Sequence, residues 1–224
     1  MIKNLFLSLI KGILAGVCIG FGGFLFILMT TYVPGEIGKI LGALLFPIGL
    51  LLVCSLALHL YTGKIGLAFE KIQSKGFYIS LPVMLIGNIL GTLALGYLSY
   101  AIFKNTELFT RVSAVSASRM NFDDYQGYLS CLFKSIFCGL CVYLAVKAFA
   151  IAKSKAVGIS LLFFFIFAFV YLGLEHCVAN SYYFSFANSW SEPRVYIDMV
   201  FCILGNSIGT IPGVLLLKAI KTAK

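Results

Sequence analysis

A six-residue pattern, Gly87-Asn88-Ile89-Leu90-Gly91-Thr92, returns 118 positions later as Gly205-Asn206-Ser207-Ile208-Gly209-Thr210. Two further matches run in the same order. Lys11 through Cys18 is echoed by Lys134 through Cys141 at an offset of 123, with Lys, Ile, Gly and Cys in step. Lys39 and Gly42 align with Lys155 and Gly158 at an offset of 116, which sets Leu58-His59-Leu60 opposite Leu174-Glu175-His176. Three ordered matches mark a duplicated unit, so a fold for one half must also serve the other.

The medium for that fold follows from composition. The chain is 61% hydrophobic and 11% charged, with a mean hydropathy of +1.01, whereas a soluble domain is about half apolar and about a quarter charged. Apolar runs near 5–33, 40–63, 77–103, 128–152, 156–174 and 195–217 each approach the roughly 20 residues a helical crossing needs. They predict an all-α integral membrane protein with six transmembrane helices. Their unbroken apolarity excludes a β-barrel, whose strands alternate in polarity. A single transmembrane domain is expected over 1–224, with repeat one at about 5–103 and repeat two at about 128–217. The segment 104–127 between them, with Ser113, Ser116, Ser118, Asp123 and Asp124, reads as an exposed outer loop without chemistry.

The formal net charge of +9 does not point to nucleic acid, because the basic residues sit at the ends of apolar runs and act as topology signals toward a lipid membrane. With the N-terminus cytoplasmic, the inner segments hold Lys3, Lys11, Lys71, Lys75, Lys147, Lys153, Lys155, Lys218, Lys221 and Lys224. The outer ones hold Lys39, Lys104, Arg111, Arg119 and Arg194. Both termini are therefore expected in the cytoplasm of a multi-pass cytoplasmic (inner) membrane protein. The first apolar run is too long for a signal peptide and has no small-residue cleavage site, so it is expected to stay as a crossing. Cys138 and Cys141 are one helical turn apart inside an apolar run, a setting for packing rather than metal or redox work.

Three crossings per repeat is an odd number, so the second copy must enter the membrane from the opposite side. Inverted repeats of this kind recur in transport proteins, with the substrate path at the repeat interface and interrupted helices beside it. Two interruptions occur at equivalent positions. One is His59-Leu60-Tyr61-Thr62-Gly63-Lys64 in the second run, and the other is Glu175-His176-Cys177-Val178-Ala179-Asn180 in the fifth. Irregular backbone at membrane depth must be buried in protein or line a wet cavity, so both breaks face inward.

His176 is the sharpest functional candidate, since an ionisable side chain inside a membrane segment is costly and imidazole can pass a proton between two nitrogens. Thr62, at the other break, offers a hydroxyl that both donates and accepts and can meet His176 across the repeat interface. Glu175 is read as structural, accepting bonds from amides freed by the break. Phe46, Leu50, Val142 and Phe169 flank the breaks and can narrow a pore. The glycines of the first, third and sixth runs are read as close-packing positions.

With these residues assembled, the chain resembles the formate/nitrite transporter family over almost its whole length. Gly173-Leu174-Glu175-His176-Cys177-Val178-Ala179-Asn180 is similar to the family's G-x-E-H-S-x-A-N, and Leu60-Tyr61-Thr62-Gly63 to its L-F-T-G. Lys11 through Gly20 and Leu204-Gly205-Asn206 resemble its first- and last-helix patterns. The resemblance implies aquaporin-like protomers with broken second and fifth helices, assembled as homopentamers with one pore each. It makes His176 the central pore histidine, Thr62 its polar counterpart, and Phe46, Leu50, Leu60, Val142 and Phe169 the apolar slits. Glu175, Asn180 and Tyr61 become supporting residues, and the implied substrates are small monovalent weak-acid anions such as formate, nitrite or hydrosulfide, with proton involvement. The chain departs from the pattern at His59, where an acid is usual, at Tyr61 and Cys177, and at Gly139 in place of an Asn near the central His. Its short N-terminal tail lacks an amphipathic gating segment, so an ungated channel is expected.

The expected function is thus a channel or transporter for such anions, with no catalytic residues, metal or cofactor. The alternative is an aquaporin-like channel for water or small neutral solutes, although Asn-Pro-Ala stands at neither break. An enzyme would need a nucleophile with its base or a ligand cluster, and the sequence offers neither.

Overall fold

Every regular element among residues 2–222, the residues that this computed structural model describes, is helical. In chain order they are α1 (Ile2–Tyr32), α2 (Gly35–Leu45), α3 (Pro47–Ser55), α4 (Tyr61–Lys64), α5 (Leu67–Glu70), α6 (Lys75–Phe103), α7 (Glu107–Arg119), α8 (Tyr125–Ile151), α9 (Lys155–Tyr171), α10 (Cys177–Phe186), α11 (Pro193–Ile208) and α12 (Thr210–Thr222). Continuously apolar sequence dictates this outcome, because only a helix pairs all of its backbone amides within one segment. Five stretches are long and apolar enough to cross a membrane: α1, α2 with α3, α6, α8, and α11 with α12. α9, at 17 residues, is apolar but shorter. Ser74, Asp124 and Ser154 start α6, α8 and α9 by accepting from the amides of Phe77, Gly127 and Val157.

Two helix pairs carry the closest packing, α1 with α6 and α8 with α11. A methyl group at Gly16 would stand 2.1 Å from the Asn88 carbonyl oxygen, and one at Gly91 would stand 2.0 Å from that of Ile13. The second pair repeats the arrangement, since a methyl group at Gly139 would stand 2.2 Å from the Asn206 carbonyl oxygen and one at Gly209 would stand 1.9 Å from that of Ile136. Only a hydrogen fits at these distances, so the recurrent glycines set how near the backbones can lie.

The two helix breaks are built alike. α3 ends with Ala57 in the left-handed region (φ 50°) and α9 ends with Gly173 (φ 65°), 116 positions apart. In each, the next amide reaches back five residues, Leu58 to the Val53 carbonyl and Leu174 to that of Phe169, with an inner bond from Ala57 to Cys54 and from Gly173 to Val170. This is the closing pattern of a helix that stops rather than frays.

Beyond each stop an asparagine takes up the freed backbone. Asn88 Oδ1 accepts from the Tyr61 amide at 2.8 Å, while its Nδ2 donates to the carbonyls of His59 (2.8 Å) and Gly12 (2.9 Å). Asn206 Oδ1 accepts from the Cys177 amide at 3.0 Å, and its Nδ2 donates to Glu175 and Ser135, both at 2.8 Å. These are the asparagines of the repeated Gly-Asn-x-x-Gly-Thr.

The segment 104–127 corrects the expectation of an exposed loop. It contains α7, whose Leu108, Val112 and Ser116 are buried against α10 and α1. Four-residue spacing places these three on one face, but with a serine among them and Arg111 and Arg119 nearby the stripe is too thin to show as an apolar run.

Candidate functional site

Thr62 is the second residue of the short helix α4 and His176 stands just before α10, and the two side chains meet: Thr62 Oγ1 lies 2.9 Å from His176 Nε2. The other ring nitrogen, Nδ1, accepts from the Ala179 amide at 3.2 Å, so His176 also caps α10. A ring nitrogen that accepts carries no proton, and the neutral ring in this geometry therefore bears its hydrogen on Nε2 and donates it to Thr62. Thr62 keeps its own hydroxyl proton to give away.

Apolar side chains close over this pair from both directions. A void of about 10 Å³ is lined by Phe46, Leu50, Leu60, Val142, Phe169 and His176, with Ile19 and Ile166 completing it. The Phe46 and Phe169 rings meet edge to face with centroids 5.4 Å apart, and Phe169 lies 5.8 Å from the His176 ring. Such a volume holds about one water at most. Leu60 is shared with a roomier cavity of about 270 Å³ toward α4, lined also by Lys64, Val146 and Phe149. On the α7 side, Phe46, Phe169 and His176 are shared with another void of about 10 Å³ that reaches Arg119, Asn180 and Tyr183. All five slit residues expected from the sequence converge on His176, and all are buried.

Glu175 does not play the part read from the sequence. The backbone amide after the break is taken by Asn206, and the Glu175 carboxylate instead pairs with Arg119 at the end of α7 and accepts from Asn180 Nδ2 at 2.9 Å. The planar guanidinium of Arg119 also donates from Nη1 to the Leu174 carbonyl at 3.0 Å. Arg119 Nε and Asn180 Oδ1 are buried without a hydrogen-bond partner among the described residues, and both residues line the α7-side void. Tyr61 lies off this line, with its hydroxyl 2.9 Å from Ser207 Oγ.

One ligating cluster forms that the sequence did not reveal. Cys131, Asp198 and Cys202 are buried with their ligating atoms within 4.8 Å of one another. Both thiols donate to Asp198, as does Asn180 Nδ2 at 3.1 Å, so the carboxylate is satisfied within the protein.

The family model described as formate/nitrite transporter matches residues 3–220. The chain belongs to the formate/nitrite transporter family. It is 29% identical over 215 residues to Uncharacterized transporter YrhG of Bacillus subtilis (strain 168), covering 90% of this chain and 79% of that one. It is 24% identical over 224 residues to Formate channel FocA of Haemophilus influenzae (strain ATCC 51907 / DSM 11121 / KW20 / Rd), covering 88% and 76%. Its fold is that of a solved pentameric formate channel with formate bound, at a TM-score of 0.83 and 21% identity over 99% of both chains. An FNT family ion channel superposes with a TM-score of 0.80 at 19% identity, covering 97% and 90%.

As a member of the formate/nitrite transporter family, the chain is a multi-pass membrane transport protein. Two of its departures from the family pattern now have a structural setting. Gly139 faces the Asn206 backbone rather than the His176 ring, and any larger side chain there would force α8 off α11. His59 has its backbone held between Asn88 and Lys11 while its Nδ1 is buried without a partner among the described residues. Arg119 and Asp198 are the residues that sequence reasoning missed. Asp198 stands in an apolar run as a lone acid, which was the available signal.

Proposed function

We propose that the chain is a channel for small monovalent weak-acid anions, in which the Thr62–His176 pair handles a proton at the centre of a narrow apolar path. The observation that carries this reading is their 2.9 Å hydrogen bond between two voids too small for a hydrated ion. A bare charge pays a prohibitive desolvation cost in such a place, whereas the neutral acid does not. An anion sheds water at the slit and takes up a proton there. The proton comes from bulk water, and Thr62 and His176 lie in line to relay it and to be restored by it, with the Nε2 hydrogen and the hydroxyl hydrogen adjacent. Arg119 Nε, an open donor, and Asn180 Oδ1, an open acceptor, match the carbonyl and hydroxyl of a carboxylic acid on the α7 side.

The same reading treats the chain as one transmembrane domain of six crossings in two inverted repeats, with α3–α4 and α9–α10 as the broken second and fifth helices. The paired stops at Ala57 and Gly173 and the matching bonds of Asn88 and Asn206 support it. Both termini lie in the cytoplasm of a cell membrane, and five copies assemble with one pore each, in keeping with the pentameric formate channel of the same fold. It performs transport without enzymatic turnover.

Uptake into proteoliposomes tests the reading. Formate, nitrite or hydrosulfide enters faster than into protein-free vesicles, and water and glycerol do not. Entry of water or glycerol without any of the three anions would replace it with an aquaporin-like neutral-solute channel.

A further inference from the structure

A cavity of about 480 Å³ opens away from the His176 path, between the first turns of α1, the His59–Lys64 break and the start of α6. Its charged lining is wholly basic. His59 and Lys64 line it with Ser8, Ser74 and Ser80, and no carboxylate does. Lys11 adds a second ammonium group at its edge, where its Nζ donates to the Ala57 carbonyl at 3.3 Å. Lys64 has no ion-pair or hydrogen-bond partner for its ammonium among the described residues. His59 Nδ1 is likewise buried and unpartnered.

The acid nearest in sequence is unavailable to them. Glu70 on α5 is held by Lys147 Nζ at 2.7 Å to both carboxylate oxygens and by the Tyr143 hydroxyl at 2.9 Å. Cations gathered in a concave site without neutralising groups create a local positive potential that concentrates anions. The backbone of His59 is fixed beside it, because the Lys11 carbonyl accepts from its amide and Asn88 donates to its carbonyl.

We propose that this cavity is a second anion site, which holds a small free carboxylate or similar oxyanion between Lys64, His59 and the serine hydroxyls. Lys64 also lines the 270 Å³ cavity that shares Leu60 with the His176 void, so an anion leaving the site emerges at that end of the path. Its role as a feeder rests on the proposed function, whereas its occupancy rests on the cavity alone. The lipid headgroup of an anionic phospholipid shares the chemistry, and the experiment separates the two sources.

Two readouts are taken on the full-length protein: the formate concentration that half-saturates flux into proteoliposomes, and the line broadening of carbon-13 formate by protein in neutral detergent. Lys64→Gln raises the half-saturating concentration roughly three- to tenfold while maximal flux stays within about twofold, because one nearby charge acts on capture and not on the slit. Lys64→Arg behaves as the parent does. Ser74→Asp keeps the α6 cap, since Asp caps as well as Ser, and placing a carboxylate in the cavity removes most of the broadening. Unchanged half-saturation and broadening in both Lys64→Gln and Ser74→Asp overturn the site and leave the pore reading intact. Absence of flux in the parent protein removes the pore reading, and the broadening series still decides the site. A half-saturating concentration that depends on phosphatidylglycerol in the parent but not in Lys64→Gln assigns the cavity to a lipid headgroup and overturns the proposal.

Discussion

Arg119 and Glu175 form an ion pair one residue from His176, with their side chains only 13% and 6% exposed. The pair ties the end of α7 to the fifth-helix break, so a segment without membrane character fixes the stretch that carries His176. Removing one member of a buried pair strands the other charge, at a cost of about 3–5 kcal/mol. Arg119→Gln is therefore expected to lower the thermal unfolding temperature in detergent sharply, and Arg119→Gln with Glu175→Gln to recover most of the loss. The exposed Arg194–Asp123 pair is the control, and Arg194→Gln should cost under about 1 kcal/mol.

Asn88 and Asn206 should be equally sensitive. Each joins one backbone amide and two carbonyls across a break, and a buried polar group left unpaired costs about 1–3 kcal/mol. Asn88→Ala and Asn206→Ala are each expected to destabilise by several such increments, read as loss of folded protein on size exclusion. Asn88→Asp, which keeps the acceptor and loses both donations, should fall between parent and Ala. A mild Asn206→Ala beside a severe Asn88→Ala would break the equivalence of the two halves.

The matched helix stops differ in one residue, and the difference is measurable. Ala57 holds a left-handed conformation that Gly173 adopts freely. Such a conformation costs an L-residue about 1 kcal/mol. Ala57→Gly should raise the thermal midpoint in detergent, and Gly173→Ala should lower it.

Phe169 closes the void beside His176 from α9, edge on to Phe46. Phe169→Ala should let larger acids through, so that the preference for formate over lactate, measured as a ratio of proteoliposome fluxes, drops about tenfold. A ratio unchanged by Phe169→Ala would place selectivity elsewhere.

Much of this arrangement was legible in the sequence because membrane helices leave few alternatives. The apolar runs, the two breaks and the Gly-Asn-x-x-Gly-Thr repeat located the helices, the turning points and the asparagines, and Phe46, Leu50, Leu60, Val142 and Phe169 line one void with His176. α7 was not legible. Its buried face is three residues wide, and Arg119 read as a topology charge because nothing in a sequence of one chain marks which surface charge folds back. Glu175 was misread for the same reason, since its partner lies 56 positions away. Asp198 needed Cys131 and Asn180 from other helices before its burial made sense.

Formate influx measured with an internal pH dye, comparing the parent protein with His176→Ala, tests the central claim most directly. In the parent, the account predicts that formate enters with a proton and acidifies the lumen faster than in protein-free vesicles. The account predicts that His176→Ala abolishes that excess acidification, with formate either stopped or carried as a current without a pH change. Folded His176→Ala protein that acidifies the lumen at the parent rate would contradict it.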